Sequence, residues 1–584
     1  MNFDKVLNDL GEFGRWQKMN LFLLWIPCMM SGVMVLIGSF TLLEPSEYRC
    51  KNVCDVDDFQ FDDYEEHWKR EQLFPCSGNS SSIHCSGEDE FCMFLKPQIL
   101  DGKCSSKLTN EKIFCNSESE FVYKQFEMKK TVISEFNMVC DGISELCRPI
   151  AESLFMVGLM VGSSVFGTSS DKFGRRNILL IAIMTSLVGN LVGAFLPDCW
   201  SYGVSRLVTG AGAVGAYMIS FSLTIEILGK KKRLPCAPWV TYSGFFGNIM
   251  AVPYALGEIM AVLLSMVFTD WRYLQVAAAV LCMMVGFVWF FITESPRWLI
   301  ATGKEEKARD VIEVAAKRNK VVITQGLESD IETVTDSTEE DGRSQSTINS
   351  MFLPVSDKEY GIMDLFNKTS RSLTFPLFII WPALGLLYFG LTLASGKINV
   401  TSDIHLSFIL MCLIEIPADF FFPILMDIWG RKPLIATCLF FPGIFCIICA
   451  FYQTTWVFTM LIMLAKMGVT GGKNISLIWT AELYPTPLRN TALGVCYTVG
   501  RAGSVFAPWV AVYLPEQDSL PPWVPLFIFG VVAILGSLAS LLLPETLGSP
   551  LPDNFKDVEN IKERNKSMCC EWINPSAWLF SYRS

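Results

Sequence analysis

Asp171-Lys172-Phe173-Gly174-Arg175-Arg176 and Asp427-Ile428-Trp429-Gly430-Arg431-Lys432 read as one motif used twice, 256 positions apart (171 to 427). Glu226 and Arg233 return at the same offset as Glu482 and Arg489. Three separated landmarks with one offset point to a duplicated half-molecule. In an apolar chain, the expected product is two like bundles of membrane helices that alternate access to a central site.

The composition agrees. Of 584 residues, 51% are hydrophobic, and the mean hydropathy is +0.36. A span takes about 20 largely apolar residues. Twelve such runs are predicted, at 19–43, 150–169, 177–196, 201–225, 239–264, 272–292, 373–392, 405–426, 433–452, 456–480, 490–514 and 522–543. The expected fold is therefore all-α and membrane-embedded, with two pseudo-symmetric six-helix bundles. No cleavable signal is expected, because Met1–Lys18 is mixed in charge and lacks a small-residue cleavage site before the first run. Lys172, Arg175, Arg176, Lys230–Arg233, Arg431, Lys432 and Arg489 follow even-numbered spans, while the loops 196–200 and 515–521 carry no basic residue. Basic loops stay in the cytoplasm, so both termini are expected inside, with residues 1–18 and 544–584 as cytoplasmic tails.

Residues 44–149 form one large outside loop. It holds 21 acidic and 12 basic residues and so contributes most of the chain's net charge of −11. That concentration, in a chain of this kind, excludes nucleic acid as a partner. Cys50, Cys54, Cys76, Cys85, Cys92, Cys104, Cys115 and Cys140 lie in this loop, and an even count outside the cell reads as a disulfide framework of undetermined pairing. Irregular spacing, with only His67 and His84 nearby, argues against a metal. Asn79 and Asn399 head glycosylation sequons in outside loops, whereas Asn367, Asn474 and Asn565 fall in the membrane or cytoplasm. Between the halves, residues 301–372 form a cytoplasmic linker. Lys304–Arg318 is predicted to be an amphipathic surface helix with Val311, Ile312, Val314 and Ala315 on its apolar side. Glu328–Thr347 is acidic, rich in Ser and Thr, and expected to be disordered. Cys569 and Cys570 are either palmitoylation sites or plain thiols.

Each Asp-x-x-Gly-Arg turn needs a residue without a side chain, hence Gly174 and Gly430. Asp171 and Asp427 can pair with Arg175, Arg176 or Arg431, and Glu226 and Glu482 are natural partners for a latch that holds the bundles when the inner gate is shut. The alternative role for these basic residues is simple cytoplasmic anchoring. Five ionisable residues sit within second-half spans: Glu415, Asp419, Lys466, Lys473 and Arg501. Each costs about 2.5–3.5 kcal/mol if placed centrally against lipid, so they are expected to face one another or a water-filled cavity. Glu415 and Asp419 share a helix face, as do Lys466 and Lys473. Mutual ion pairing and substrate contact are both open, with contact favoured for Arg501 and Asp419.

Several motifs together carry a resemblance. They are Gly167-x-x-x-Asp171-x-x-Gly174-Arg175-Arg176, Arg206-x-x-x-Gly210-x-Gly212, Glu294-Ser295-Pro296-Arg297-Trp298, Ala481-Glu482-Leu483-Tyr484-Pro485-Thr486 with Arg489-Asn490, and Pro544-Glu545-Thr546. With the cysteine-rich first loop and Ser134-Glu135-Phe136-Asn137-Met138-Val139-Cys140-Asp141, the chain resembles the major facilitator superfamily, and within it solute carrier family 22, nearest the organic cation/carnitine branch. Pro423 stands where that family carries Gly, and the loop has more cysteines than is usual there. The resemblance implies a central site in which Tyr217, Trp381 and Tyr388 occupy aromatic positions. Cation-carrying members typically have Asp at the position of Arg501, and carnitine-type and anion-carrying members have Arg, whose fork suits a carboxylate. Anion carriers tend to have Lys where this chain has Asp419. Arg501 with Asp419 therefore favours a zwitterion such as carnitine or a betaine, or a quaternary amine held on aromatic faces. Lys473, in place of an apolar or aromatic residue, leaves room for organic anions.

An enzyme is not expected. Leu228-Gly229-Lys230 echoes a phosphate-binding loop, but the upstream Gly is missing and residue 231 is Lys. No cofactor is expected, and transport would be facilitative or coupled to sodium or a proton. A receptor-like role for the outer loop is the competing reading from another class. It leaves the paired turns and the buried charges without a purpose. The expectation is a multi-pass plasma-membrane carrier of small organic ions.

Overall fold

In the computed structural model, the described residues are 14–45, 47–50, 92–100, 103–115, 121–124, 128–138, 142–228, 233–234, 237–241, 250–321, 362–367, 370–394, 403–452, 455–516, 520–521, 523–549, 552 and 556–564. Twelve membrane helices organise them. The first half contains α1 (Arg15–Thr41), α2 (Gly142–Phe173), α3 (Arg175–Gly193), α4 (Cys199–Ile227), α5 (Ala251–Val267) and α6 (Trp271–Gly286). In the second half are α7 (Arg371–Ala394), α8 (Ile404–Trp429), α9 (Arg431–Phe451), α10 (Thr455–Leu483), α11 (Thr486–Val505) and α12 (Val524–Ser540). Eight of these, with α6 counted together with the 3-10 turn that extends it to Phe290, are long and apolar enough to cross a bilayer by themselves. α5 and α12 are apolar but shorter, at 17 residues each. Large apolar side chains such as Val188, Phe195, Phe287, Phe421 and Leu538 are exposed on the outer faces, where lipid rather than water is the natural solvent.

Eleven of the twelve predicted runs coincide with helices to within a few residues at most ends. The run 239–264 is the exception. Its start is a strand, Ala237–Thr241, paired antiparallel with Arg233–Leu234, and α5 begins only at Ala251. Pro235 and Pro238 explain the loss of helix, since neither has an N–H for a helical bond. α8 is interrupted at Ile414. Pro417 would bond to the Leu413 carbonyl in a continuous helix and has no donor to do so.

Backbones pack closely where the sequence supplies glycine. A Cβ on Gly32 of α1 would collide with the Tyr254 carbonyl of α5, and one on Gly257 would collide with the Met29 carbonyl of α1. This reciprocal contact fixes the face that α5 turns toward the centre, as small residues do between membrane helices.

Outside the helices, Glu47–Cys50 pairs with Phe121–Lys124, and Cys92–Leu100 with Lys103–Cys115. The side chains of the eight candidate disulfide cysteines lie outside the described residues, as do Asn79, Asn399, Glu328–Thr347, Cys569 and Cys570. A disulfide absent from the expectations joins Cys147 to Cys199, tying the start of α2 to the start of α4. Glu135, in the family-like stretch, clasps α6: Trp271 Nε1 donates to it at 2.6 Å and Arg272 Nη2 lies 2.9 Å away. Burial acts to raise the Glu135 carboxyl, but the hydrogen bonds from Arg272 and Trp271 and the charges of Arg272 and Lys130 outweigh it and hold it below its ordinary value. The linker helix runs over Glu305–Asn319 and buries Ala308, Ile312, Ala315 and Ala316, while Val314 is exposed. It docks on α1: Trp16 N donates to Asn319 Oδ1 at 2.9 Å, and Asn319 Nδ2 to Gln17 Oε1 at 3.0 Å.

Candidate functional site

The two halves meet tightly at one end and part at the other. At the closed end Phe40 of α1 stacks on His405 of α8 at 5.6 Å and tilts against Phe408 at 5.1 Å. Ser153 Oγ of α2 donates to the Val505 carbonyl at the end of α11, at 2.8 Å. From the centre, a cavity of about 400 Å³ runs toward the end that carries the Asp-x-x-Gly-Arg turns, with Gly167, Ser170 and Asp171 on its wall.

Five of the eight predicted binding residues line this cavity: Tyr217, Trp381, Tyr388, Lys473 and Arg501. Arg501 Nη2 donates to Tyr497 Oη at 2.6 Å, and its guanidinium lies 4.9 Å from the Tyr497 ring centroid and 5.5 Å from that of Phe389. Among the described residues no carboxylate comes within ion-pair distance of it. Lys473 Nζ sits 3.7 Å from the Tyr388 ring centroid and 5.9 Å from that of Tyr254. Trp381 Nε1 donates to Thr480 Oγ1 at 3.1 Å, so its ring face is held against the cavity. Tyr217 packs edge-on to Tyr254 at 5.5 Å.

The other three are behind the wall. Lys466, fully buried, lies 2.8 Å from Glu415 Oε1 and donates to the Tyr388 carbonyl at 3.0 Å and to Thr392 Oγ1 at 2.6 Å. Glu415 also accepts from Tyr388 Oη at 2.8 Å. The two side chains are thus paired with each other, and neither lines the cavity. Asp419 is likewise off the cavity wall. One of its oxygens accepts from Asn474 Nδ2 at 2.7 Å, and Asn474 is the residue that reaches the cavity. The first half has buried charges of its own, and one was missed: Glu258 of α5, 1% exposed, faces Cys412 of α8. Its signal was available, a lone acid in an apolar run.

The paired turns form matching clusters. Arg175 Nη2 lies 2.9 Å from Asp171 and 3.0 Å from Glu226. Arg431 Nη2 lies 3.2 Å from Asp427 and 3.0 Å from Glu482. Glu294 accepts from the backbone N–H groups of Arg175 and Arg176, and Glu545 from those of Arg431 and Lys432. Each carboxylate thus sits at the positive end of a helix. Arg176 stacks on Trp289 at 4.3 Å. Arg489 does not join its cluster; Nε donates to the Ala481 carbonyl near the end of α10 at 2.7 Å. Arg233 belongs to the short strand, with its side chain outside the described set. Both clusters are internal to one half, so the expected latch between bundles is not made in this conformation, where the cavity separates them.

Residues 118–363 match the sugar (and other) transporter family and residues 362–579 the Major Facilitator Superfamily. An organic cation transporter protein of Drosophila melanogaster is 27% identical over 97% of this chain and 96% of its own length. The organic cation/carnitine transporter 2 of Rattus norvegicus is 30% identical over 75% of this chain and 74% of its own. Solute carrier family 22 member 6-B of Xenopus laevis is 28% identical over 97% and 96%. The partially occluded, inward-open xylose transporter XylE from E. coli shares the fold, with a TM-score of 0.54 at 15% identity over 92% of this chain and all of that one. Duplicated turn clusters, two six-helix halves around one cavity and these relatives lead to one assignment: the chain belongs to the major facilitator superfamily, within the membrane transporters of solute carrier family 22.

Proposed function

We propose that this chain is a plasma-membrane carrier of small organic ions, with zwitterions such as carnitine and betaines, and quaternary amines, as its substrate class. Both termini are cytoplasmic, and the cavity described above faces the cell interior. The observation that carries this reading is the cavity's lining. One wall offers Arg501, already oriented by Tyr497, and Lys473; the other surfaces are aromatic, from Tyr217, Tyr254, Trp381 and Tyr388. A substrate carboxylate suits the guanidinium fork, and a quaternary ammonium suits ring faces in a desolvated site. Asp419 acts on the substrate at one remove, through Asn474 and through its attraction for Lys473. The names of the relatives favour cations and carnitine as cargo. Rocking of the halves about the centre would close the Asp171 end and open the Phe40 end.

The test is uptake by cells that express the full chain. Loss of a charge-assisted hydrogen bond is worth about 1.5–3 kcal/mol, so Arg501→Ala should lower L-carnitine uptake about tenfold or more and tetraethylammonium uptake far less. Equal losses would make Arg501 a folding or gating residue. Two cations on one wall also favour a second reading, an organic-anion carrier. Saturable p-aminohippurate uptake that carnitine fails to inhibit would select it. Running each assay with and without sodium separates sodium coupling from its absence.

A further inference from the structure

Glu258 lies where the two halves touch. α5 belongs to the first half and packs on α1 of its own half and on both segments of α8 from the other half. Gly32 and Gly257 press α5 against α1, which leaves Glu258 pointing across the seam. It is 1% exposed, and its Oε2 has no hydrogen-bond partner among the described residues. One turn away, Tyr254 lines the cavity, but Glu258 does not; it is sealed beyond the cavity floor, toward the closed end.

The groups that face it fail to neutralise it. From α8 come the Cys412 thiol, which hydrogen-bonds to it, and the Glu415 carboxylate, which repels it. From α10 come Lys466 and Lys473. Lys466 is ion-paired with Glu415 at 2.8 Å and donates to the Tyr388 carbonyl and Thr392 Oγ1, so its charge is committed elsewhere. Lys473 is set against the Tyr388 ring, within the fields of Glu415 and Asp419. From α7 comes Tyr388, whose hydroxyl is committed to Glu415, and from α5 itself Tyr254. Among the described residues no cation pairs with Glu258. A bare carboxylate in such a place is strongly unfavourable, and binding a proton removes the charge.

We infer that Glu258 is a proton-binding site at the α5–α8 seam, and that its proton is taken up as the outer end of the carrier closes. The step is the addition of one proton to one carboxylate, with no other bond made or broken. When the halves rock the other way, the seam beyond the cavity parts, Glu258 meets outside water, and the carboxyl ionises. Acid outside then favours the conformation described here, and alkali opposes it, by linkage. This rests on the carrier reading for its transport consequences, but not for the binding site itself.

Two measurements on the full-length protein test it. The first is thermal unfolding of the detergent-solubilised chain between about pH 6 and about pH 8. The wild-type Tm should fall as pH rises, because the buried proton must leave or be held against its gradient. Glu258→Gln, neutral at every pH, should abolish that fall, and Glu258→Asp should keep it. Superimposed wild-type and Glu258→Gln profiles would overturn the inference. The second is uptake of tetraethylammonium and L-carnitine with the outer pH varied at fixed inner pH. Wild-type uptake should decline by up to about tenfold per unit of outer alkalinisation, the limit for one proton, whereas Glu258→Gln should be flat with KM unchanged. Equal pH-dependence in both proteins would also overturn it. If neither probe enters wild-type cells while the Tm profiles diverge, the site stands and the substrate assignment falls. Should Glu258→Gln fail to fold, Glu258→Asp and wild type still decide: a Tm independent of pH in both removes the proton.

Discussion

Lys466 is fully buried, donates to the Tyr388 carbonyl and to Thr392 Oγ1, and is ion-paired with Glu415 Oε1 at 2.8 Å. Its charge is matched by Glu415 and it does not line the cavity, so the residue is a structural member of the core under the cavity. Breaking a buried pair from one side strands a charge and costs about 3–5 kcal/mol, whereas replacing both partners with apolar groups is often near neutral. Lys466→Met should therefore lower the Tm of the solubilised protein sharply, and Lys466→Met with Glu415→Leu should recover most of the loss. An equally unstable double variant would mean that packing, not charge, is at issue. The five second-half charges were visible in the sequence because an ion in an apolar run stands out. Their division into wall and backing was not. Spacing of four residues puts Glu415 and Asp419 on one face of α8, but it does not say which neighbouring helix covers that face. Arg501 and Lys473 reach the cavity through tertiary placement of α10 and α11, which no local pattern encodes.

At the level of elements, Gly174 and Gly430 hold φ values of +105° and +93° with extended ψ, a region in which an L side chain is strained by about 1–3 kcal/mol. A Cβ on Gly174 would also come within 2.7 Å of Glu294 Oε2, and one on Gly430 within 2.7 Å of Glu545 Oε2. Those are the carboxylates that hold the first backbone amides of α3 and α9. Gly430→Ala should thus strain the turn and dislodge the carboxylate together, seen as reduced folded protein at the cell surface. Gly167→Ala, where a Cβ meets nothing within 4 Å, should be tolerated; equal damage from both would contradict the steric account. The turns, with Glu226 and Glu482, were legible from the repeat offset alone. The roles of Glu294 and Glu545 were not, because they sit in motifs that the offset does not align. The strand at Ala237–Thr241 escaped a hydropathy reading that gave Pro235 and Pro238 too little weight against the apolar residues around them.

On the scale of the whole molecule, each half is held together internally, by its turn cluster and, in the first half, by Cys147–Cys199, while the halves touch along α1–α8, α2–α11 and α5–α8. That division is what lets one seam close as another opens. The twelve-helix plan and its duplication were readable because span length and repeat offset are properties of sequence. The open end, the closed end and the proton-binding seam required coordinates, since they depend on how two rigid bodies lean. The helix Glu305–Asn319 adds an asymmetry: its terminal Asn319 is bonded to Trp16 and Gln17, so it travels with the first half alone. Joining the bundles is then left to the polypeptide after Lys320. A gene split between Glu339 and Glu340 should yield two fragments that co-purify and together restore uptake, while fragments that never associate would show that continuity of the chain is needed for assembly. Physical linkage in this carrier is on that account a convenience of synthesis, and the same machine is open to being made in two pieces.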